Sequence, residues 1–134
     1  MPSHIPAGFA AVVPYLHIQD PKAFFEFARE GLGATVLAEH YHDGRLAHGE
    51  INLLGCVIEL GQPSDPNATT NVALHVFVPD PDAAYARALA AGATSVYEVR
   101  DHPYGERSGG VADRWGNQWY FACVTDHEAR NAQS

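Results

Sequence analysis

The sequence predicts an α+β fold, with two tandem βαβββ units forming a curved, mixed but mainly antiparallel sheet around a cleft and helices on the outer face. Three observations predict it. Sequence landmarks recur at a spacing of 59–61 positions. In both copies an Asp-Pro pair follows a short apolar strand and opens a helix. In both copies the remaining strands are separated by glycine-bearing turns.

The repeat is legible residue by residue. Leu16-His17-Ile18-Gln19-Asp20-Pro21 matches Val76-Phe77-Val78-Pro79-Asp80-Pro81, and Gly33-Ala34-Thr35 returns as Gly92-Ala93-Thr94. Gly55 to Leu60 lines up with Gly116 to Phe121. The first unit spans residues 8–61 and the second 71–125. A Pro- and Asp-containing linker covers 62–70, and residues 126–134 read as a flexible tail.

In the first unit a strand is expected over Ala11 to Ile18, then a helix from Pro21 with Asp20 as its N-cap and Gly31 or Gly33 near its end. Phe24 and Phe27 supply packing residues, while Phe25 is expected at the surface or an interface. Thr35 to Tyr41, Arg45 to Leu53 and Cys56 to Gly61 complete the unit, with a hairpin at His42-Asp43-Gly44. In the second unit Val72 to Val78 is a strand, Asp80-Pro81 opens a helix and Gly92 ends it. Strands follow over Thr94 to Val99, Arg107 to Ala112 and Asn117 to Val124, with a loop from Arg100 to Glu106.

Composition narrows the partners. The 134 residues carry 46% hydrophobic and 18% charged side chains, enough apolar content for a core without a structural metal or disulfide. The net charge is −8 and Lys22 is the only lysine, which argues against nucleic acid and anionic membrane as partners. No basic start precedes the apolar stretch from Ala7 to Leu16, and Pro14 interrupts it. A cytoplasmic protein is therefore expected, with Cys56 and Cys123 as buried thiols.

Strand alternation separates two faces. Val72, Leu74, Val76 and Val78 would pack on the helix, leaving Ala73, His75 and Phe77 on the other side. The matching set in the first unit is Val13, Tyr15 and His17. His48, Glu50 and Asn52 share that side, as do Glu59, Gln118 and Tyr120. A face rich in His, Tyr and Asn and free of Lys fits a ligand cleft. Tyr104 and Arg107 would reach it from the loop, Tyr104 by stacking and Arg107 by meeting an anion or by pairing internally with Asp113 or Glu106. Trp115 lies in a turn, where it would floor a pocket or cover a dimer surface, and Trp119 is expected in the core. The candidate ligand-binding set is thus Tyr15, His17, His48, Glu50, Glu59, His75, Tyr104, Arg107, Trp115 and Tyr120. His40 and His42 are read as solvent-facing edge histidines.

These motifs resemble those of the vicinal oxygen chelate superfamily, which includes glyoxalase I, extradiol dioxygenases and the fosfomycin- and bleomycin-resistance proteins. The resemblance rests on Pro14-Tyr15-Leu16 leading to Asp20 and on Leu74-His75-Val76-Phe77-Val78 leading to Asp80. The strongest match is Tyr104-Gly105-Glu106-Arg107-Ser108-Gly109-Gly110-Val111, followed by Asp113 and Gly116-Asn117. It is most similar to the glyoxalase/bleomycin-resistance-like branch, with a departure at Arg114-Trp115. By that resemblance, metal-binding members draw ligands from the positions held here by Val13, Glu59, Ala73 and Tyr120. Only Glu59 is a good ligand. The resemblance therefore implies a small-molecule binder without the family metal or any other cofactor, and a homodimer. Two alternatives stay open. One is a metal-dependent lyase or dioxygenase with a displaced site through His75, His48 and Glu59. The other is a metal-free lyase or isomerase with Glu59 or a histidine as base.

Overall fold

The computed structural model describes residues 4–132 and divides into two compact units, with the boundary between Thr70 and Asn71. The first unit runs β1 (Tyr15–His17), α1 (Pro21–Leu32), β2 (Thr35–His42), β3 (Arg45–Leu53) and β4 (Cys56–Gly61). Its four-stranded sheet has the order β1-β4-β3-β2, with β1 parallel to β4 and the other pairs antiparallel. The second unit repeats the plan with β5 (Ala73–Phe77), α2 (Pro81–Ala90), β6 (Thr94–His102), β7 (Glu106–Ala112) and β8 (Gln118–Val124). Its order is β5-β8-β7-β6, with β5 parallel to β8. This is the α+β architecture of two βαβββ units.

Local chemistry explains the first unit. Pro21 begins α1, and Gly33 ends it in a left-handed conformation with φ 74°, its N–H donating to the Ala28 carbonyl. Phe24, Phe25, Phe27 and Ala28 form the buried stripe of α1, which packs on β2 and β3. Phe25 is therefore a core residue rather than a surface one. Its ring crosses β3 at Gly49, where a Cβ would stand 2.7 Å from ring Cζ. β1 is shorter than the sequence suggests. Proline has no N–H to donate, so Pro14 contributes only its carbonyl, which accepts from the Glu59 N–H at 2.9 Å. Asp20 is not a side-chain cap either. Its backbone is left-handed at φ 53°, and its carbonyl accepts from the Phe24 N–H.

A bulge in β3 changes which side chains reach the core. The register with β2 shifts between His40 and Tyr41, leaving Ala47 as the extra residue. Leu46 is buried as a result, and Ala47 is exposed. Beyond the bulge, Ile51 and Leu53 are buried while His48, Glu50 and Asn52 alternate with them. The chain after β4 is fastened by the Gln19 amide, which donates to the carbonyls of Pro63, Asp65 and Ala68 at 3.4, 3.0 and 3.2 Å.

In the second unit Asp80 does cap α2, its Oδ1 accepting from the Ala83 N–H at 3.1 Å. The helix packs on β6, β7 and β8. Two register shifts let β6 continue past Val99 to His102. The expected loop from Arg100 to Glu106 thus contracts to residues 103–105, with Gly105 at φ 88°. Thr125 donates its N–H to the Gly105 carbonyl. The short helix α3 (His127–Asn131) follows, in the segment read from sequence as a tail. Asp126 caps it, and Arg130 forms an ion pair with the buried Glu106.

Trp119 is fully buried, as its position in the alternation predicts. Its indole N–H donates to Asp113 Oδ2 at 2.9 Å. Cys56 is exposed rather than buried, because it opens β4 beside the Leu54-Gly55 turn. Both cysteines are free thiols. Among the described residues no helix is long and apolar enough to cross a membrane.

Candidate functional site

In the first unit, the sheet face turned away from α1 carries five of the candidate residues. Tyr15 pairs with Glu59 across β1 and β4, and Glu59 pairs with Glu50 across β4 and β3. His48 lies two residues from Glu50 on the same strand face. Its Nε2 stands 2.7 Å from Glu50 Oε2 and 3.5 Å from Glu59 Oε1. The three side chains are partly covered, with 34%, 21% and 27% of their surfaces exposed for His48, Glu50 and Glu59. Sequence alternation put these residues on one face, and the strand register brings their polar atoms together.

Among the described residues, candidate side chains line two concavities of this unit. One, of about 350 Å³, is walled by Ile5, Pro6, Phe9, Ala11 and Val13 and has Glu59 in its lining. The other, of about 290 Å³, is lined by Tyr15, His17, Arg45 and Gln62. Tyr15 and His17 meet edge to face at 5.6 Å, and the Tyr15 hydroxyl lies over Gly61, where a Cβ would collide with it. Residues 5–10 precede the strand expected from Ala11 and have no strand or helix periodicity, so no alternation argument reaches them.

The second unit places its candidates differently. His75, Tyr120, Gly110 and Tyr97 form one row across β5, β8, β7 and β6. The rings of Tyr97 and Tyr120 stack at 5.9 Å over Gly110, where a Cβ would come within 2.9 Å of both. The Tyr97 hydroxyl and His102 Nε2 each hydrogen-bond Ser108 Oγ, at 3.0 and 2.9 Å, and Tyr104 stacks on His102 at 5.1 Å. The Tyr120 hydroxyl donates to Gln118 Oε1 in a short hydrogen bond. His102 lies beyond Val99, where the sequence ends the strand, and Tyr97 sits between two register shifts that simple alternation does not anticipate.

His75 Nε2 lies 3.6 Å from Glu106 Oε1 and beside the Phe77 ring. His75 thus has its own carboxylate partner in the second unit, while His48 is grouped with Glu50 and Glu59. Arg107 is held in ion pairs, and its partners are neither Asp113 nor Glu106. It grips Asp82 with two bonds of 2.8 Å and Asp101 with one of 3.2 Å. Residue 107 points to the side of its strand opposite 106 and 108, which directs it to α2 and β6. The same grip holds the Asp82 carboxyl below its ordinary range, through the hydrogen bonds first and the guanidinium charge after them. Trp115 lies in the β7–β8 turn, covered on one side by the Arg114 guanidinium 4.8 Å from its ring centre.

With this geometry in view, comparison with known proteins assigns the chain. The model of the Glyoxalase/Bleomycin resistance protein/Dioxygenase superfamily matches residues 9–121. The chain belongs to this superfamily. An uncharacterized protein of Mycobacterium bovis is 32% identical over 121 residues, covering 81% of this chain and 80% of its own. The crystal structure of TioX from Micromonospora sp. ML1 superposes with a TM-score of 0.74 at 25% identity, over 86% of this chain and 98% of TioX. TnmS3, an antibiotic binding protein from Streptomyces sp. CB03234, has the same fold, with a TM-score of 0.66 at 20% identity over 86% of this chain and 97% of its own.

The ligand positions expected from the superfamily can now be tested against the residues present. Val13 and Ala73 carry no donor atom in their side chains, and Tyr120 offers a neutral phenol in place of a carboxylate or imidazole. Glu59 alone offers a ligand of the usual kind. These four positions do not fit the superfamily's metal centre.

Proposed function

We propose that this member of the glyoxalase/bleomycin-resistance superfamily binds a small molecule, without using the superfamily's four-position metal centre. The observation that carries the reading is the concavity of about 350 Å³ with Ile5, Phe9 and Val13 in its wall and Glu59 in its lining. Its volume falls within the range of small-molecule sites, and its wall combines apolar side chains with the polar groups of His4 and Glu59. The ligand it suits has an apolar or aromatic body and a cationic or hydrogen-bond-donating group for Glu59. The neighbouring groove with Tyr15, His17 and Arg45 would extend the contact. The shared fold of the antibiotic binding protein TnmS3 supports a binding role.

The experiment is a thermal-shift and calorimetric screen of metal-stripped protein against aromatic and cationic small molecules. A compound at 100 times its dissociation constant would stabilise the fold by about 2.7 kcal/mol. We expect Phe9→Ala and Glu59→Gln each to weaken such a compound by roughly tenfold or more, the worth of one good contact of about 1.4 kcal/mol. Binding indifferent to both substitutions would move the site elsewhere. Chemical conversion of the bound compound would replace the binding reading with an enzymatic one.

A further inference from the structure

We propose that the first unit holds a divalent cation on His48, Glu50 and Glu59, a ligand set that shares only Glu59 with the four positions expected from the superfamily. The proposal goes beyond organic-ligand binding and does not depend on it. Three observations carry it: register, spacing and charge.

Glu50 and Glu59 are direct cross-strand partners on antiparallel β3 and β4, with their side chains on the same face. Like charges placed directly opposite repel, and partial burial deepens the cost. A positive group between them offsets it. Among the described residues, the ion-pair partner of both carboxylates is His48. A proton on His48 would leave the trio with one net negative charge. A divalent cation with a neutral imidazole balances both carboxylates.

The spacing suits an ion. Two donors bound at about 2.1 Å and separated by a tetrahedral or octahedral angle stand about 3.0–3.4 Å apart. His48 Nε2 and Glu50 Oε2, hydrogen-bonded at 2.7 Å, would part by a few tenths of an ångström to admit an ion; the Nε2–Oε1 separation of 3.5 Å is already close to that value, and the three donor atoms all lie within 4.8 Å of one another. One imidazole and two carboxylates suit first-row divalent ions such as Zn²⁺ and Mn²⁺. Three protein donors leave coordination positions for water or a ligand oxygen. Glu59, which also lines the concavity, places one of the donors in its wall. The paired strands β3 and β4 hold all three residues, so the site needs nothing from a loop.

The test is calorimetric titration of the metal-stripped full-length chain with Zn²⁺ and with Mn²⁺ alone, with no organic compound present. We expect one ion per chain and a rise in melting temperature. Glu50→Gln preserves shape and guards against a folding defect, and His48→Ala removes the nitrogen donor. Each should weaken the ion by more than the roughly 10–100-fold that outer-shell changes cost. His42→Ala, at the exposed turn, should leave it unchanged. Absence of stoichiometric binding overturns the proposal, as does binding that survives Glu50→Gln and His48→Ala. Binding lost only in His42→Ala overturns it too, by moving the ion to the turn. The organic-ligand reading is judged by its own screen, so either can fail alone.

Discussion

Asp113 illustrates how a single buried carboxylate organises its surroundings. It accepts from the Trp115 and Asn117 backbone N–H groups at 2.9 Å, from Asn117 Nδ2 at 3.3 Å and from Trp119 Nε1 at 2.9 Å. The β7–β8 turn is thereby closed, and the largest core side chain of the second unit is anchored. Asp113→Ala would strand the indole N–H and the Asn117 amide in a buried site. At about 1–3 kcal/mol for each unsatisfied group, the expected loss is about 3 kcal/mol. Urea unfolding monitored by tryptophan fluorescence checks it. Asp113→Asn keeps one acceptor oxygen and should cost less. The sequence marked this stretch only as a motif, Asp113 with Gly116-Asn117. Four donors converging on one carboxylate is a property of the folded turn.

At the scale of elements, Arg107 ties β7 to the first turn of α2 through Asp82 and to β6 through Asp101. Asp82 carries a lowered pKa in the folded state. Its contribution to stability is therefore present above the unfolded carboxylate value of about 3.9, and is lost as pH falls through the lower folded value. We expect wild type and Arg107→Met to differ in stability at neutral pH and to converge in acid. Asp82 should titrate at an ordinary carboxylate value in the variant. NMR titration of its carboxyl carbon, beside unfolding curves from pH 2 to 7, measures both, and high salt should shrink the difference because the pair is at the surface.

The elements also separate what was legible from what was not. Helix starts at Pro21 and Pro81, the Gly33 exit and the β3–β4 pairing follow from local chemistry, and they appear where the sequence places them. The strand ends do not. Pro14 shortens β1 because a proline cannot extend the ladder, and bulges lengthen β6 because a local register shift carries no sequence mark. The burial of Leu46 depends on the Ala47 bulge in the same way. Asp20 and Asp80 occupy equivalent positions in the repeat, yet only Asp80 caps its helix, because the Asp20 backbone is left-handed. Alternation correctly grouped His48, Glu50 and Glu59 on one face. It could not assign His75 to Glu106, since that pairing joins β5 to β7 in the folded unit.

At the scale of the whole molecule, we propose that the protein is a homodimer. Large apolar side chains stand exposed on the described chain, among them Val12, Leu37, Leu54, Phe77 and Val96. Sedimentation equilibrium should return twice the 14.5 kDa chain mass. A single-chain mass at micromolar concentration would remove the dimer. The internal repeat, the helix-opening Asp-Pro pairs and strand alternation were enough, by themselves, to determine two βαβββ units and the face on which polar and aromatic side chains gather. They suffice because periodicity and proline geometry are local quantities. Which carboxylate faces which imidazole, which strand a bulge re-aims, and where residues 5–13 fold to wall a concavity were decided only by tertiary structure. Those are distances between residues far apart in sequence, set by register and packing that no local pattern encodes.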